Sequence, residues 1–141
     1  MPVRQTFTLA NDLAEISRLA DGIEAFCAPL DPGPKDLMAV QLAVEEAVTN
    51  VINHGYADGQ PHTFTVELAL EERRLTTVIT DDAPAYDPLA RPDVDTSKPL
   101  EEREIGGLGV HLVKKLMDSA QYERRDGRNV LTLVRTFAPA A

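Results

Sequence analysis

The sequence lacks several features that would assign it to a common functional class. It has no tryptophan, only 5% aromatic residues and one cysteine, Cys27, in a chain of 141 residues. A single cysteine excludes an internal disulfide and is typical of a reducing cytoplasm, and the few aromatics argue against a surface for stacking bases. No apolar run is long enough to cross a membrane, and the N-terminus does not resemble a signal peptide. We therefore expect a cytoplasmic protein that is not inserted in a membrane.

The chain has no excess of positive charge, because its formal net charge is −9. Binding to a nucleic-acid backbone depends on Lys and Arg side chains that neutralise phosphates, so nucleic acid is not expected as a partner. There is no cluster of His and Cys for zinc and no Gly-x-Ser-x-Gly elbow for a serine hydrolase. The length predicts one domain, residues 1–141, with a hydrophobic core of its own.

Hydrophobic periodicity predicts a strand, two helices, two strands, a third helix and two final strands. Asn11 is the predicted N-cap of the first helix, and Asp126-Gly127 predicts a two-residue hairpin turn. Because the later strands come in adjacent pairs, we predict an α+β fold, a two-layer sandwich with a mixed, mostly antiparallel sheet and helices on one face. The predicted elements cover residues 3–9, 11–27, the end of the Pro-rich segment 29–34 to about 54, 62–70, 75–80, 106–117, 120–124 and 130–137.

A long segment without periodicity follows the second hairpin strand. It runs from Asp81 to about Gly107 and contains prolines and alternating charges. Loops of this length in compact domains are usually binding loops, lids or disordered segments. We interpret residues 83–107 as a lid over a site, with a disordered insertion as the alternative.

Polar side chains with metal-binding and acid–base chemistry share one face of the second helix. Glu46, Asn50 and Asn53 are spaced three and four residues apart, and Val44 and Val48 occupy the opposite face. A carboxylate can act as a general base, and an amide oxygen is a hard ligand suited to Mg²⁺. A solvated polar face is the alternative interpretation.

Two further motifs have weaker individual signals. Gly106, Gly107 and Gly109 precede a helix, where backbone N–H groups can approach a phosphate, although a flexible hinge has the same pattern. Asp81 and Asp82 end a strand, where a carboxylate can accept a hydrogen bond from an exocyclic amine or simply open a loop.

In this order, the three motifs resemble the GHKL ATPases, the gyrase, Hsp90, histidine kinase and MutL group. Within that group the chain is most similar to the anti-sigma factor serine kinases of the RsbW and SpoIIAB type. The segments with this resemblance are Glu46-Ala47-Val48-Thr49-Asn50, His54-Gly55-Tyr56, Asp82 to Leu89 and Gly106 to Val113. The resemblance covers nearly the whole chain and implies a Bergerat-type ATP site between the helices and the sheet.

The resemblance implies a role for each matching position. Glu46 would be the general base, Asn50 would hold Mg²⁺, and Asp81 would bind the adenine amino group. Glu45 is the alternative base and Asp82 the alternative adenine ligand. The nucleotide-binding set is Asn50, Asn53, Asp81, Ala83, Gly106, Gly107, Leu108, Gly109 and Val110.

The implied function is an ATP- and Mg²⁺-dependent serine/threonine kinase that phosphorylates a STAS-domain anti-anti-sigma protein and sequesters a sigma factor, usually as a homodimer. Ala83 departs from the family pattern, because the second residue after the adenine-binding aspartate is usually glycine. An alanine there would weaken nucleotide binding if the position needs positive φ. The alternatives are a nucleotide-dependent binding protein with little kinase activity and a detached histidine-kinase ATPase domain.

Overall fold

A computed structural model describes residues 2–56, 58–90 and 107–139, and for 107–111 it describes the backbone only. In the described ranges no helix combines the length and the hydropathy needed to span a membrane. The strands and helices, in chain order, are β1 (Val3–Ala10), α1 (Glu15–Cys27), α2 (Pro34–Asn50), β2 (Thr63–Glu71), β3 (Arg74–Asp81), α3 (Gly107–Leu116), β4 (Ser119–Arg125) and β5 (Arg128–Thr136).

The strands form one five-stranded sheet in the order β1-β2-β3-β5-β4. Every pairing among the described strands is antiparallel. The β4–β5 turn has positive φ at both Asp126 (54°) and Gly127 (75°), as a two-residue type I′ hairpin requires, and the hairpin predicted there is confirmed. The β2–β3 hairpin is also confirmed, although its turn contains Glu72 at φ 57° instead of a glycine.

The core lies between one face of the sheet and the three helices. Alternate strand residues such as Leu9, Val66 and Leu133 are fully buried against helix residues such as Ile23 and Val44. Every second residue of the strands is buried, and the apolar residues of α2 recur at helical spacing, so both kinds of element contribute to one apolar layer. The predicted α+β fold is confirmed. Cys27 belongs to the core, and its burial raises the pKa of the thiol to about 11.

One local prediction was wrong, and another was right in the extent of a helix but not in its type. Helix α1 begins at Glu15 with Ala14 at its N-cap position, so Asn11 is not the cap. The Asn11 side chain instead connects the segment after β1 to the segment before β2. Its amide donates to Gln60 O at 3.1 Å and accepts from the His62 N–H at 3.0 Å. The second helix was expected to continue to about His54, but the α-helix ends at Asn50 and a π-helical turn covers Val51–Gly55.

Candidate functional site

A small, partly open cleft of about 40 Å³ lies where the end of α2 meets the end of β3 and the start of β5. Its apolar walls include Ala47, Val51, Ile79 and Leu131. Its polar lining residues are few, and four of them are linked by hydrogen bonds around Asn129; the set is Asn50, Asp81, Tyr86, Tyr122 and Asn129. An apolar cleft with a few polar groups is the usual form of a small-molecule site.

The end of α2 brings one of the predicted metal-binding groups to this cleft. Asn50 is half-buried and lines the cleft, and its side chain makes no hydrogen bond to any described residue. Glu46 lies one turn earlier on the same helix face, is also half-buried, and pairs with no described residue. The geometry of α2 therefore leaves a carboxylate and an amide available on one side of the helix.

Asn53 is positioned differently from the other two predicted α2 residues. It falls within the π-helical turn, where hydrogen bonds run to the fifth residue and the side-chain directions differ from those of an α-helix. Its side chain is exposed, and it is not among the residues that line the cleft. A role for Asn53 in nucleotide binding stays a prediction.

Asp81 ends β3, is 8% exposed and lines the cleft. Its Oδ1 accepts hydrogen bonds from the backbone N–H of Ala83 at 3.0 Å and from Asn129 Nδ2 at 2.9 Å. No described group donates to its Oδ2, which leaves one acceptor for a ligand. Asp82 is exposed and does not line this cleft.

Ala83 replaces the expected glycine without backbone strain. Among the described non-glycine residues, positive φ occurs only at Asp31, Glu72 and Asp126, so the Ala83 backbone is in an ordinary region. The alanine side chain is buried at 2% exposure and faces Gly55, where an added Cβ would lie 3.4 Å from the Ala83 Cβ. The methyl group therefore packs beside Gly55, and the Ala83 backbone does not need a conformation that is unfavourable for alanine.

Asn129 on β5 makes more hydrogen bonds than the other lining residues described here, and no sequence pattern indicated it. Asn129 lies opposite Asp81 in the β3–β5 register and is 7% exposed. Arg124 reinforces the same region by donating to Ala83 O at 2.8 Å and to Asn129 Oδ1 at 3.2 Å. The only sequence signal was the Asp126-Gly127 turn, which sets the β4–β5 register but not the pairing of β5 with β3.

A second contact missed from the sequence joins the segment that follows the π-helical turn to the end of β3. Tyr56, just after the π-helical turn, donates to Asp82 Oδ1 at 2.7 Å and stacks on His62 with ring centroids 4.2 Å apart. His62 Nε2 lies 2.8 Å from an Asp58 carboxylate oxygen. Burial of the phenol, together with the Asp82 carboxylate, raises the pKa of Tyr56 above its usual value, so it remains a donor at neutral pH.

The glycine-rich motif is described only in part. Helix α3 begins at Gly107, and Leu108, Gly109 and Val110 lie in its first turn, where backbone N–H groups lack helical partners. Residues 91–106, which include Gly106 and most of the predicted lid, lie outside the described residues. The described start of the predicted lid, residues 83–90, includes a short 3₁₀ turn at Pro88–Ala90.

These groups suit a magnesium-bound nucleotide on chemical grounds. The apolar walls can hold a base, Asp81 Oδ2 offers an acceptor to an amine, and the Asn50 amide oxygen is a hard ligand. The helix N-terminus at Gly107 supplies N–H groups for phosphate.

Comparisons with known proteins identify the family of the chain. Residues 9–135 match the family model described as a histidine kinase-like ATPase domain. The chain is 33% identical over 98 residues to the serine/threonine-protein kinase BtrW of Bordetella bronchiseptica, covering 70% of this chain and 69% of that protein. It is 35% identical over 107 residues to an anti-sigma F factor of Clostridium perfringens, covering 74% and 75%.

Two further comparisons involve only part of the other protein. The chain is 33% identical over 96 residues to the serine-protein kinase RsbW of Halalkalibacterium halodurans, covering 65% of this chain and 58% of that protein. A crystal structure of the RsbU and RsbW domains of a Mycobacterium tuberculosis protein superposes with a TM-score of 0.71 at 16% identity. That match covers 99% of this chain and 34% of the other, and at this identity it shows the fold alone.

Proposed function

Since the chain belongs to the histidine kinase-like ATPase domain family, we propose that it is an ATP- and Mg²⁺-dependent protein serine/threonine kinase of the anti-sigma factor type. Its substrate is a serine or threonine on a STAS-domain anti-anti-sigma protein, and its second partner is a sigma factor, bound by a homodimer of this chain. The observation that supports the nucleotide site best is Asp81, a buried residue that lines an apolar cleft and has one carboxylate oxygen with no described donor. The partners are inferred from relatives named as kinases and anti-sigma factors.

Each predicted residue has a distinct task in this function. Asp81 Oδ2 accepts a hydrogen bond from the adenine amino group, and the apolar walls exclude water from the base. The Asn50 amide oxygen holds Mg²⁺, and Mg-ATP supplies the phosphoryl group for transfer. N–H groups at the start of α3 bind phosphate oxygens. Phosphoryl transfer depends mainly on positioning and charge neutralisation, so this small set of groups is chemically sufficient.

Glu46 is the proposed general base. Its carboxylate takes the proton from the attacking hydroxyl of the partner protein, and its position one turn before Asn50 places it on the metal-binding side of α2. Glu45, the alternative base, is exposed on the adjacent part of the helix surface, about 100° away. Glu46 is therefore the better candidate of the two.

The alternative of a binding protein with little kinase activity was motivated by Ala83, through backbone strain and through a methyl group near the base. The backbone of Ala83 is ordinary, and its methyl group lies beside Gly55. We therefore do not retain it as a second proposal.

The test is phosphorylation of STAS-domain proteins encoded with this chain, using the purified wild type, Glu46→Gln and the matched neighbour Glu45→Gln. We expect an acid-stable phosphoserine or phosphothreonine by mass spectrometry, a loss of about 10²–10⁴-fold in rate for Glu46→Gln, and a rate near that of the wild type for Glu45→Gln. An acid-labile phosphohistidine, or equal rates for Glu46→Gln and the wild type, would contradict the proposal.

A further inference from the structure

The outer face of α2 exposes two large apolar side chains, Met38 at 57% and Leu42 at 44%. They are four residues apart, and Glu46 follows Leu42 after another four, so the three side chains form one row along the helix surface. The face of α2 that is buried in the core, with Val40 and Val44, lies on the other side of the helix. Within the described ranges, neither Met38 nor Leu42 is part of the core, so core packing does not account for them.

Single exposed apolar residues are common on protein surfaces, and the position of this pair is what distinguishes it. A general base must come within about 3 Å of the hydroxyl that it deprotonates. If Glu46 is the base, the protein that carries the acceptor hydroxyl must therefore lie against the surface of α2 around Glu46.

The size of a protein interface decides whether that partner also reaches the pair. A specific interface covers about 800 Å² on each partner, which corresponds to a patch roughly 16 Å in radius. At a rise of about 1.5 Å per residue, Leu42 is about 6 Å and Met38 about 12 Å from Glu46 along the helix axis. A patch of this size centred on Glu46 includes both side chains.

The groups around the pair have the arrangement of a docking surface. Lys35 is exposed one turn before Met38, and Glu45 is exposed one turn after Leu42, so charged groups flank an apolar centre. An apolar centre with a polar rim is the usual composition of a protein interface, and methionine is enriched in such centres because its side chain adapts to the partner. The surface therefore fits a partner with an apolar patch beside its acceptor hydroxyl.

We propose that Met38 and Leu42 form the docking surface for the protein substrate, which covers them with an apolar patch next to the serine or threonine that it presents to Glu46. This inference rests on the proposed function and adds the surface that recognises the substrate. A second copy of the chain is the less suitable occupant, because a copy held on this row would also cover Glu46 and exclude the acceptor hydroxyl.

The test is steady-state phosphorylation of the STAS-domain protein encoded with this chain by the wild type, Met38→Ala, Leu42→Ala and the double variant. We expect kcat/KM for the partner protein to fall at least about fivefold in each single variant and at least about tenfold in the double variant. The KM for the partner should carry this loss, while kcat at saturating partner and the KM for ATP stay near the wild-type values. Because both side chains are exposed, thermal stability should change little.

The matched control is Val3→Ala, which also truncates an exposed apolar side chain. Val3 is 62% exposed on β1 and pairs with Leu70, which in turn pairs with Leu75. Leu75 is six residues from Asp81 along β3, or about 20 Å, so Val3 lies at the end of the sheet away from the cleft. The control should have the kcat/KM of the wild type.

Three results would overturn the inference while the wild type remains an active kinase. The first is a wild-type kcat/KM for the double variant. The second is a loss that appears in kcat or in Mg-ADP affinity, because the substitutions would then act on the nucleotide site or on the fold. The third is a wild-type rate of phosphorylation combined with a changed mass in sedimentation or with lost capture of the sigma factor, which would assign the surface to a second copy or to the sigma factor. If the wild type phosphorylates no encoded STAS-domain protein, the proposed function itself fails, and the inference fails with it.

Discussion

The hydroxyl of Tyr56 donates a 2.7 Å hydrogen bond to Oδ1 of Asp82, which joins the turn after α2 to the end of β3. Asp82 is the neighbour of Asp81, and Tyr56 follows the π-helical turn that begins after Asn50. The bond therefore links the segments that carry the proposed metal-binding and adenine-binding residues.

Removal of this bond is expected to loosen the cleft with little loss of packing. Tyr56→Phe keeps the stacking on His62 and removes the hydroxyl, so we expect the unfolding free energy to fall by about 1 kcal/mol. Mg-ADP affinity should fall as well, because the two sides of the cleft are no longer tied together. Asp82→Asn retains an acceptor for the hydroxyl and should have the smaller effect in denaturant unfolding and calorimetry. Equal effects of the two substitutions would contradict this role of the hydroxyl.

A buried ion pair anchors the start of α2 to β5. Asp36 Oδ1 accepts from Arg135 Nη2 at 2.7 Å and Nε at 3.1 Å, and Asp36 Oδ2 accepts from the Ala138 N–H at 3.0 Å. Arg135 also donates to Leu116 O at the end of α3. Asp36→Asn weakens these charge-assisted bonds, and we expect a loss of about 2–3 kcal/mol in unfolding free energy at neutral pH.

The same pair predicts a pH dependence. Burial alone would raise the pKa of Asp36, but the hydrogen bonds from Arg135 and the Ala138 N–H outweigh it and hold the pKa below 3.8. A lowered folded-state pKa contributes stability above the unfolded value and loses it as the pH falls through the folded value. The stability difference between wild type and Asp36→Asn should be constant above about pH 5 and shrink below about pH 4. A difference that does not change in acid would contradict this assignment.

Gly22 in α1 lies directly against the ring of Phe7. A Cβ added at Gly22 would lie 2.5 Å from Phe7 Cε1 and Cζ, a distance that requires movement in the core. We expect Gly22→Ala to destabilise the protein by about 1–3 kcal/mol, although alanine favours helix. In a double-mutant cycle, Phe7→Leu should relieve much of that cost, and additive effects would show that the two residues are not in conflict.

Ala83→Gly tests whether the family's glycine would improve this site. Because Ala83 has ordinary backbone angles, glycine would add conformational freedom to the unfolded chain and remove a buried methyl group. We expect the unfolding free energy to fall by about 0.5–1 kcal/mol and Mg-ADP affinity not to improve. Tighter nucleotide binding by Ala83→Gly would indicate that the alanine does impair the site.

Local signals in the sequence predicted most of the fold, and non-local pairing explains the errors. Asp126-Gly127 predicted a hairpin that the positive φ angles confirm. Asn11 has the residue type of an N-cap, but partners about fifty positions away, Gln60 and His62, occupy its amide. The family predicted from three short motifs is confirmed by the match over residues 9–135. The names of the relatives support the predicted kinase and anti-sigma functions.

The site was predictable where its residues are local to a motif. Asn50 and Asp81 follow from one helix face and one strand end, and both line the cleft, while their roles stay predictions. Asn129 was missed because its proximity to Asp81 depends on the β3–β5 register, which no short-range pattern sets. The π-helical turn was missed because no glycine or proline interrupts Val51–His54, and it moves Asn53 away from its expected place.

The central claim is that the cleft binds a magnesium-bound adenine nucleotide through Asn50 and Asp81. Calorimetry of Mg-ATP binding to the wild type and Asn50→Ala, each with and without Mg²⁺, tests it most directly. We predict Mg²⁺-dependent binding by the wild type and a loss of at least about tenfold in affinity for Asn50→Ala, because no other described side chain of α2 in the cleft offers a hard oxygen ligand. Absence of binding by the wild type, or binding that depends on neither Mg²⁺ nor Asn50, would contradict the account.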